Sequence, residues 1–267
     1  MQGSYFSVNG LDMYYEIHST GKPLVLLHGG LGTIEMLGDI LRLLSQSLQV
    51  IGVDLQAHGR TADIDRPLRY ELMADDVAAL IKHLRLEKAD VMGYSLGGGV
   101  TLRTAIQHPE VVRKLVLVSI PFRHDGQYPE VLAAEQQVGA DAAELMKQSP
   151  NYQIYSRIAP RPEDWPVLLA KVGELIRRDY EWSTEVAAIQ APTMLVYGDA
   201  DSVRPAHIVQ FYELLGGGRH DPGWDRSSMP TARLAILPNT THYDISTNPL
   251  LASIVPPFLD EPMPPSK

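Results

Sequence analysis

The chain has 267 residues, 45% of them hydrophobic and 21% charged, which is the composition of a globular protein and not of a disordered one. Its net charge of -9 argues against nucleic acid and anionic membranes as partners, because both attract basic proteins. The absence of cysteine excludes disulfides, thiolate metal sites and cysteine nucleophiles. The first residues do not resemble a secretory signal and no apolar run is long enough to cross a membrane, so a cytoplasmic protein is expected.

The predicted elements begin with two alternating segments, residues 4–8 and 11–18, joined by Asn9-Gly10, a strong signal for an antiparallel hairpin. Short apolar runs then alternate with amphipathic helices. The runs that predict strands are residues 23–27, 50–55, 89–93, 114–119, 193–197 and 232–237. The stretches that predict helices are residues 35–47, 71–84, 96–107, 205–215 and 249–259. This order predicts an α/β fold with a mostly parallel central sheet, helices on both faces and an N-terminal antiparallel hairpin.

Residues 121–191 separate two of the predicted strands and are too many for an ordinary connection. Two stretches within them, residues 128–147 and 166–178, have helical periodicity, and prolines punctuate the chain between them. We therefore expect an inserted helical cap. The predicted division is a core of residues 1–120 and 192–260, a cap of residues 121–191 and a flexible tail of residues 261–267.

A nucleophile motif stands between a predicted strand and a predicted helix. Gly93-Tyr94-Ser95-Leu96-Gly97 matches G-x-S-x-G, in which a sharp turn lifts the serine hydroxyl above the sheet. The helix N-terminus beneath it favours a developing anion. The N–H of Leu96 is one expected donor to that anion, and the N–H of Gly30, in the turn His28-Gly29-Gly30, is the second. The alternative is a glycine-rich surface turn without chemistry.

A serine hydroxyl needs a base to accept its proton, and the chain offers nine histidines. His242 follows the last predicted strand, so it should lie at the edge of the sheet where Ser95 lies. His28 and His58 belong to glycine turns at the same edge and are expected to serve structure. His124, at the start of the cap, is the remaining rival.

The base in turn needs a carboxylate to orient it. Asp201 ends the segment Gly198-Asp199-Ala200-Asp201, which follows a predicted strand, and it lies far enough along the loop to turn toward the histidine. Asp199 is expected to brace the turn, and Asp125 is the runner-up. A metal bound by the two aspartates is disfavoured, because no histidine pair stands at ligand spacing.

These motifs together resemble the α/β-hydrolase superfamily, in particular small capped bacterial carboxylesterases and lactonases. The residues that carry the resemblance occur in the family's order and are His28-Gly29-Gly30, Asp-Leu-Gln-Ala-His-Gly at 54–59, the motif at 93–97, Gly-Asp-Ala-Asp at 198–201 and His242. The chain departs from the family pattern at Thr241, where a glycine is frequent, and at Gln56-Ala57, where Pro-Gly is frequent.

The resemblance implies hydrolysis of a small carboxylic ester through an acyl-enzyme, with Ser95 as nucleophile, His242 as base and Asp201 as its orienting acid. It implies no cofactor. A lactonase or a carbon–carbon bond hydrolase on the same triad is the enzymatic alternative, and a non-catalytic small-molecule receptor is the alternative from another class. The expected partner is a small ester or lactone, with neither nucleic acid nor membrane, and the protein should be a monomer or a homodimer.

Substrate contacts are expected from the cap and from the loops near the nucleophile. The candidates are Leu31, Phe122, Met146, Tyr152, Tyr155, Trp165 and Val203. The alternative is that the cap aromatics form the interior of the cap itself. Residues 216–229 are polar and irregular, and they are expected at the opposite edge of the sheet. Their members His220, Asp221, Trp224 and Asp225 should then be catalytically silent, with Trp224 on the surface or in a subunit contact.

Overall fold

The computed structural model describes residues 3–263, and its strands form one eight-stranded sheet within that range. The strands are β1 Ser4–Val8, β2 Leu11–His18, β3 Lys22–Leu27, β4 Leu48–Val53, β5 Ala89–Tyr94, β6 Val112–Val118, β7 Thr193–Ala200 and β8 Ala232–Thr241. Their order across the sheet is β1-β2-β4-β3-β5-β6-β7-β8. Strand β2 is antiparallel to β1 and β4, and the other neighbours are parallel. The predicted mostly parallel sheet with an N-terminal hairpin is confirmed.

Helices cover both faces of this sheet. Within residues 3–263 they are α1 Gly38–Leu44, α2 Tyr70–His83, α3 Leu96–Gln107, α4 Pro129–Glu135, α5 Ala143–Met146, α6 Pro150–Ile158, α7 Trp165–Ile176, α8 Ser183–Ala187, α9 Pro205–Leu214 and α10 Leu250–Asp260. Side chains of α1 and α10 pack into the core on one face, and those of α2, α3, α7, α8 and α9 pack into the core on the other. The central strands are therefore buried on both sides.

The apolar sequence of β3 shows how this burial is encoded. Val25 and Leu27 point into the core beneath α2 and α3, whereas Leu24 and Leu26 point into the core beneath α1 and α10. All four side chains are buried. Because successive side chains of a strand face opposite ways, a strand covered on both faces needs an unbroken apolar run.

The segment between β6 and β7, residues 121–191, is helical as expected but is divided differently. The single stretch predicted at residues 128–147 is broken into α4 and α5. Pro150, one of the prolines expected only to separate the two helical stretches, instead begins α6. Proline is tolerated in the first helical turn because its missing N–H has no partner there, and the Ser149 hydroxyl accepts a hydrogen bond from the N–H of Tyr152.

The predicted flexible tail, residues 261–267, lies partly outside the described residues. Glu261 lies inside them and is held at both its side chain and its backbone. Its carboxylate pairs with Arg233 at 2.7 Å, and its carbonyl accepts a hydrogen bond from Lys114 Nζ at 2.6 Å. These contacts tie Glu261 to β8 and β6. No helix among residues 3–263 combines the length and the hydropathy that a membrane span requires.

Candidate active site

Ser95 occupies a strained turn between β5 and α3. Its φ of 53° and ψ of -120° lie outside the regions that side-chain-bearing residues favour. A Cβ on Gly93 would lie 2.1 Å from the carbonyl oxygen of Gly97, and one on Gly97 would lie 2.3 Å from the carbonyl oxygen of His28. The two glycines of G-x-S-x-G are therefore required by packing. The turn presents the Ser95 hydroxyl at the carboxyl end of β5.

His242 lies directly after β8 and meets Ser95 across 147 residues of chain. Its Nε2 is 3.2 Å from Ser95 Oγ. The hydroxyl of Tyr94 donates a 2.7 Å hydrogen bond to the His242 carbonyl and so fixes the backbone that carries the imidazole. Thr241, where the family often has glycine, is accommodated because Asp244 accepts hydrogen bonds from both its N–H and its hydroxyl.

Asp201 is buried on the far side of the imidazole. Its Oδ1 lies 3.6 Å from His242 Nδ1, and Ser202 Oγ lies closer to that nitrogen, at 3.0 Å. Asp201 Oδ2 accepts a 2.5 Å hydrogen bond from Ser119 Oγ and a 3.0 Å bond from the N–H of Gly198. Burial raises the pKa of Asp201, but the nearby His242 imidazole and the hydrogen bond from Ser119 outweigh burial and hold the pKa below its usual value.

The structure brings together residues that the sequence reasoning missed. Ser119 directly follows β6, and its N–H donates to the Val196 carbonyl of β7 at 2.9 Å. Ser202 is the neighbour of Asp201 in sequence. Tyr94 lies inside the nucleophile motif itself. Only adjacency to predicted site residues could have signalled Ser202 and Tyr94, and nothing in the sequence alone pairs Ser119 with an aspartate 82 residues away.

The two rival carboxylates lie elsewhere. Asp199 is exposed and accepts hydrogen bonds from the N–H groups of Asn239 and Thr240, at 2.9 and 3.0 Å. These two bonds lower its pKa and brace the turn, which is the role expected for it. Asp125 is largely exposed and pairs with Arg123 at 2.7 Å.

His28 and His58 are buried in the glycine turns at this edge. His28 Nε2 accepts a hydrogen bond from the N–H of Leu55 at 3.1 Å. Burial first, and the neighbouring His58 second, lower the pKa of His28 to about 3. Burial likewise lowers the pKa of His58 to about 4. Both rings are therefore neutral near pH 7 and are placed to hold the turns. Ala57, where the family often has glycine, takes a φ of 66°.

The turn at His28-Gly29-Gly30, which is expected to supply the second oxyanion donor, is tight. The N–H of Gly32 donates to the carbonyl of Gly29 at 3.0 Å, and Leu31 takes a φ of 58°. Asn151 of α6 donates to the Leu31 carbonyl at 3.0 Å and ties this turn to the helical segment. Gly30 and Leu96 both line the cavity that contains Ser95.

That cavity has a volume of about 340 Å³ and lies between the carboxyl ends of the strands and the helical segment. Its walls are mainly apolar, with polar groups at two places, around Ser95 and at the end of α4. Its lining residues include Leu31, Tyr70, His124, Gln127, Glu135 and Tyr180. This volume is near the lower end of the roughly 300–1,000 Å³ typical of small-molecule sites.

Of the seven predicted substrate contacts, Leu31 lines this cavity and the other six do not. Trp165 is buried against Tyr155 and Tyr152, with ring centroids 5.2 and 5.3 Å apart, so these rings form the interior of the helical segment. Phe122 is buried in a stack with His207. The remaining two, Met146 and Val203, also pack into the main core.

Residues 216–229 run from α9 to the beginning of β8, at the edge of the sheet opposite Ser95. None of them lines the cavity, and Trp224 is fully exposed. The predicted location is therefore correct. Although this loop contains a histidine and two aspartates, no group of three such side chains within residues 3–263 is placed to hold a metal ion.

Comparison with known proteins identifies the family. The model of the alpha/beta hydrolase fold family matches residues 22–148. The pimeloyl-[acyl-carrier protein] methyl ester esterase of Neisseria meningitidis serogroup B is 32% identical over 224 residues, which are 74% of this chain and 82% of that esterase. The chain belongs to the α/β-hydrolase family. The hydrolase is also 35% identical over 118 residues to a Haemophilus influenzae protein, of which the match spans 41%.

A solved structure extends the likeness in fold over the whole chain. The hydrolase superposes on E-2-(acetamidomethylene)succinate hydrolase with a TM-score of 0.74, covering 97% of this chain and 99% of that one. Their sequences are 19% identical, so this similarity concerns the fold. The fold places the loops after parallel strands at one edge, where Ser95, Asp201 and His242 meet.

Proposed function

We propose that the hydrolase cleaves small carboxylic esters through an acyl-enzyme formed on Ser95. The observation that carries the proposal is the 3.2 Å separation of Ser95 Oγ and His242 Nε2 at the wall of a cavity. A nucleophile within hydrogen-bond reach of a base, with the base oriented by a third group, is the arrangement that acyl transfer requires.

In the acylation step, His242 Nε2 accepts the proton of Ser95 as Oγ attacks the carbonyl carbon of the ester. The N–H groups of Gly30 and Leu96 donate hydrogen bonds to the oxygen that becomes negative. The imidazolium then gives its proton to the departing alcohol. Water attacks the acyl-enzyme by the same route in reverse and releases the acid.

Asp201 keeps the imidazole in the tautomer that leaves Nε2 free to accept a proton. Its lowered pKa keeps it anionic, so that it stabilises the imidazolium as this forms. The 3.6 Å separation of Asp201 Oδ1 and His242 Nδ1 exceeds a hydrogen bond, and catalytic contacts of this kind commonly tighten when substrate binds. Ser202 is a positioning residue for the same nitrogen.

The name of one relative favours an ester, and the lining of the cavity favours a substrate without an anionic group. The relative that is 32% identical is named for the hydrolysis of a methyl ester. The cavity is small and mainly apolar, and none of its described lining residues is lysine or arginine, so the acid product gains no cation to retain it. These features suit a short ester that has no charged group next to the carbonyl that Ser95 attacks.

The test combines a substrate panel with Ser95→Ala. The wild-type hydrolase should release nitrophenol from short-chain p-nitrophenyl esters faster than it opens lactones or cleaves amides of matched size. Ser95→Ala should lower kcat by roughly 10⁵- to 10⁶-fold, by analogy with other serine triads. A fluorophosphonate should label Ser95 once per chain, which mass spectrometry of the digest would locate.

Ser227→Ala, in the exposed loop at the opposite edge, is the control and should keep wild-type activity and labelling. Circular dichroism of both variants checks that they are folded. Labelling at another residue, full activity in Ser95→Ala, or lactones cleaved faster than every ester would each contradict the proposal.

A further inference from the structure

The wall of the cavity opposite the strand ends carries a carboxylate that the proposed mechanism does not use. Glu135, the last residue of α4, lines the cavity with a side chain that is 16% exposed. Gln127 Nε2 donates to its Oε1 at 2.8 Å, and His124 Nε2 lies 3.4 Å from its Oε2. A carboxylate offers about four acceptor positions, so these two neighbours leave room for a ligand.

Two tyrosines flank this carboxylate. Tyr70 and Tyr180 line the same cavity, with ring centroids 5.6 Å apart at a steep angle. The ring of Tyr70 fits only because residue 99 is glycine, whose added Cβ would lie 2.4 Å from Tyr70 Cε1. Burial raises the pKa of both phenols, and the charge of Glu135 contributes in each case. The geometry links Tyr180 to the carboxylate through His124, whose ring centroid is 6.2 Å from that of Tyr180 and whose Nε2 is 3.4 Å from Glu135 Oε2.

The charges around Glu135 leave it without a full counterion inside the cavity. It is the one acidic residue among the described lining residues, which include neither lysine nor arginine. His124 is shared, since its Nδ1 also lies 2.8 Å from the exposed carboxylate of Asp179. Arg177 reaches only the backbone carbonyl of Glu135, at 3.5 Å.

We propose that Glu135, together with the rings of Tyr70 and Tyr180, binds an ammonium group carried by the substrate. The inference rests on the proposed function and names its substrate class, an ester with a cationic ammonium group in one arm. A carboxylate attracts the charge, and aromatic faces attract a cation through their quadrupoles. A carboxylate at the same place in the substrate would be repelled.

The experiment uses esters that differ only in the charge of a terminal group. The first series contains p-nitrophenyl esters of 5-(trimethylammonio)pentanoate, of its uncharged isostere 6,6-dimethylheptanoate, and of adipate. The second series places the group in the alcohol, as acetates of 4-(trimethylammonio)butanol and 5,5-dimethylhexanol followed in a pH-stat. In one of the two series wild type should prefer the ammonium ester by about tenfold in kcat/KM, and adipate should be the poorest acyl donor.

Glu135→Gln preserves the size of the side chain and its acceptor for Gln127. It should abolish the preference for the ammonium ester through KM, while kcat/KM for the uncharged isostere stays within about threefold. Glu130→Gln, on the exposed side of the same helix, removes the same charge from α4 and should leave the preference intact. This control separates a local contact from the net charge of the protein.

Equal kcat/KM for ammonium and uncharged esters in both wild-type series would overturn the inference, whether or not Glu135→Gln folds. So would a preference that survives in folded Glu135→Gln. Titration calorimetry of Ser95→Ala with methyl 5-(trimethylammonio)pentanoate gives a readout that needs no turnover. Binding there that Glu135→Gln weakens about tenfold, in a protein that hydrolyses no ester, would refute the proposed function and leave this inference standing.

Discussion

The two edges of the parallel sheet use polar residues in opposite ways. At the carboxyl edge, Ser95, Ser119 and Leu31 hold positive φ angles of 53°, 51° and 58°, conformations that cost on the order of 1–3 kcal/mol each. All three residues line the cavity. This edge therefore accepts backbone strain in order to hold reactive groups in place.

At the amino edge, basic side chains reach the end of α10. Lys114 is buried, and its Nζ donates to the carbonyls of Phe258, Leu259 and Glu261, at 2.8, 3.3 and 2.6 Å. Lys22 adds a 3.2 Å bond to the Leu259 carbonyl. The last carbonyls of a helix lack intrahelical partners and carry partial negative charge, so these cations satisfy them. This edge gains stability where the carboxyl edge gains chemistry.

The largest expected effect on activity comes from a substitution at the carboxyl edge. We expect Asp201→Asn to lower kcat by roughly 10⁴-fold, because the imidazole loses the anion that fixes its tautomer while nucleophile and oxyanion donors remain. Steady-state kinetics on the best ester would measure it.

Asp199→Asn is the matched change two residues away. It weakens two backbone hydrogen bonds in an exposed turn, so it should affect stability more than kcat. If the two variants exchanged their effects, or if Asp125→Asn were the damaging change, the assignment of the orienting acid would be wrong.

An intermediate effect is expected at the amino edge from Lys114→Met. Three carbonyls lose a buried donor, so the free energy of unfolding should fall by about 2 kcal/mol, whereas kcat/KM should stay near wild type. Urea denaturation followed by circular dichroism gives the first quantity. Lys82→Met, which breaks an exposed pair with Glu110, should change stability by less than about 1 kcal/mol. A large loss of activity in folded Lys114→Met would mean that the amino edge also serves catalysis, against the contrast between the two edges.

The smallest effect is expected from shortening the loop of residues 216–229. Because this loop leads into the amino end of β8, kcat/KM should stay within about threefold of wild type, which corresponds to roughly 0.65 kcal/mol of transition-state free energy. Kinetics on a variant shown to be folded would test this. A loss of a hundredfold or more would place the loop at the active site.

Local patterns predicted the elements of the sheet well because each strand and helix is encoded by its own periodicity. Residues 96–107, 4–8 and 11–18 were predicted with the bounds that the structure has. The cap segment was predicted less well. Its helices are short, and their apolar residues serve either an internal core or a cavity wall, two uses that give the same amphipathic pattern.

The sequence by itself determined the fold class, the strained turn around Ser95 and the order of serine, acid and histidine, because each depends on neighbours along the chain or on the rule that loops after parallel strands share one edge. Only the tertiary structure decided that Trp165 and Phe122 point into cores and that Glu135 and Tyr180 face the cavity. It also decided that the Ser119 hydroxyl, just beyond the end of β6, donates a hydrogen bond to Asp201 at 2.5 Å. Those outcomes depend on how separate elements pack against one another, which no local pattern specifies.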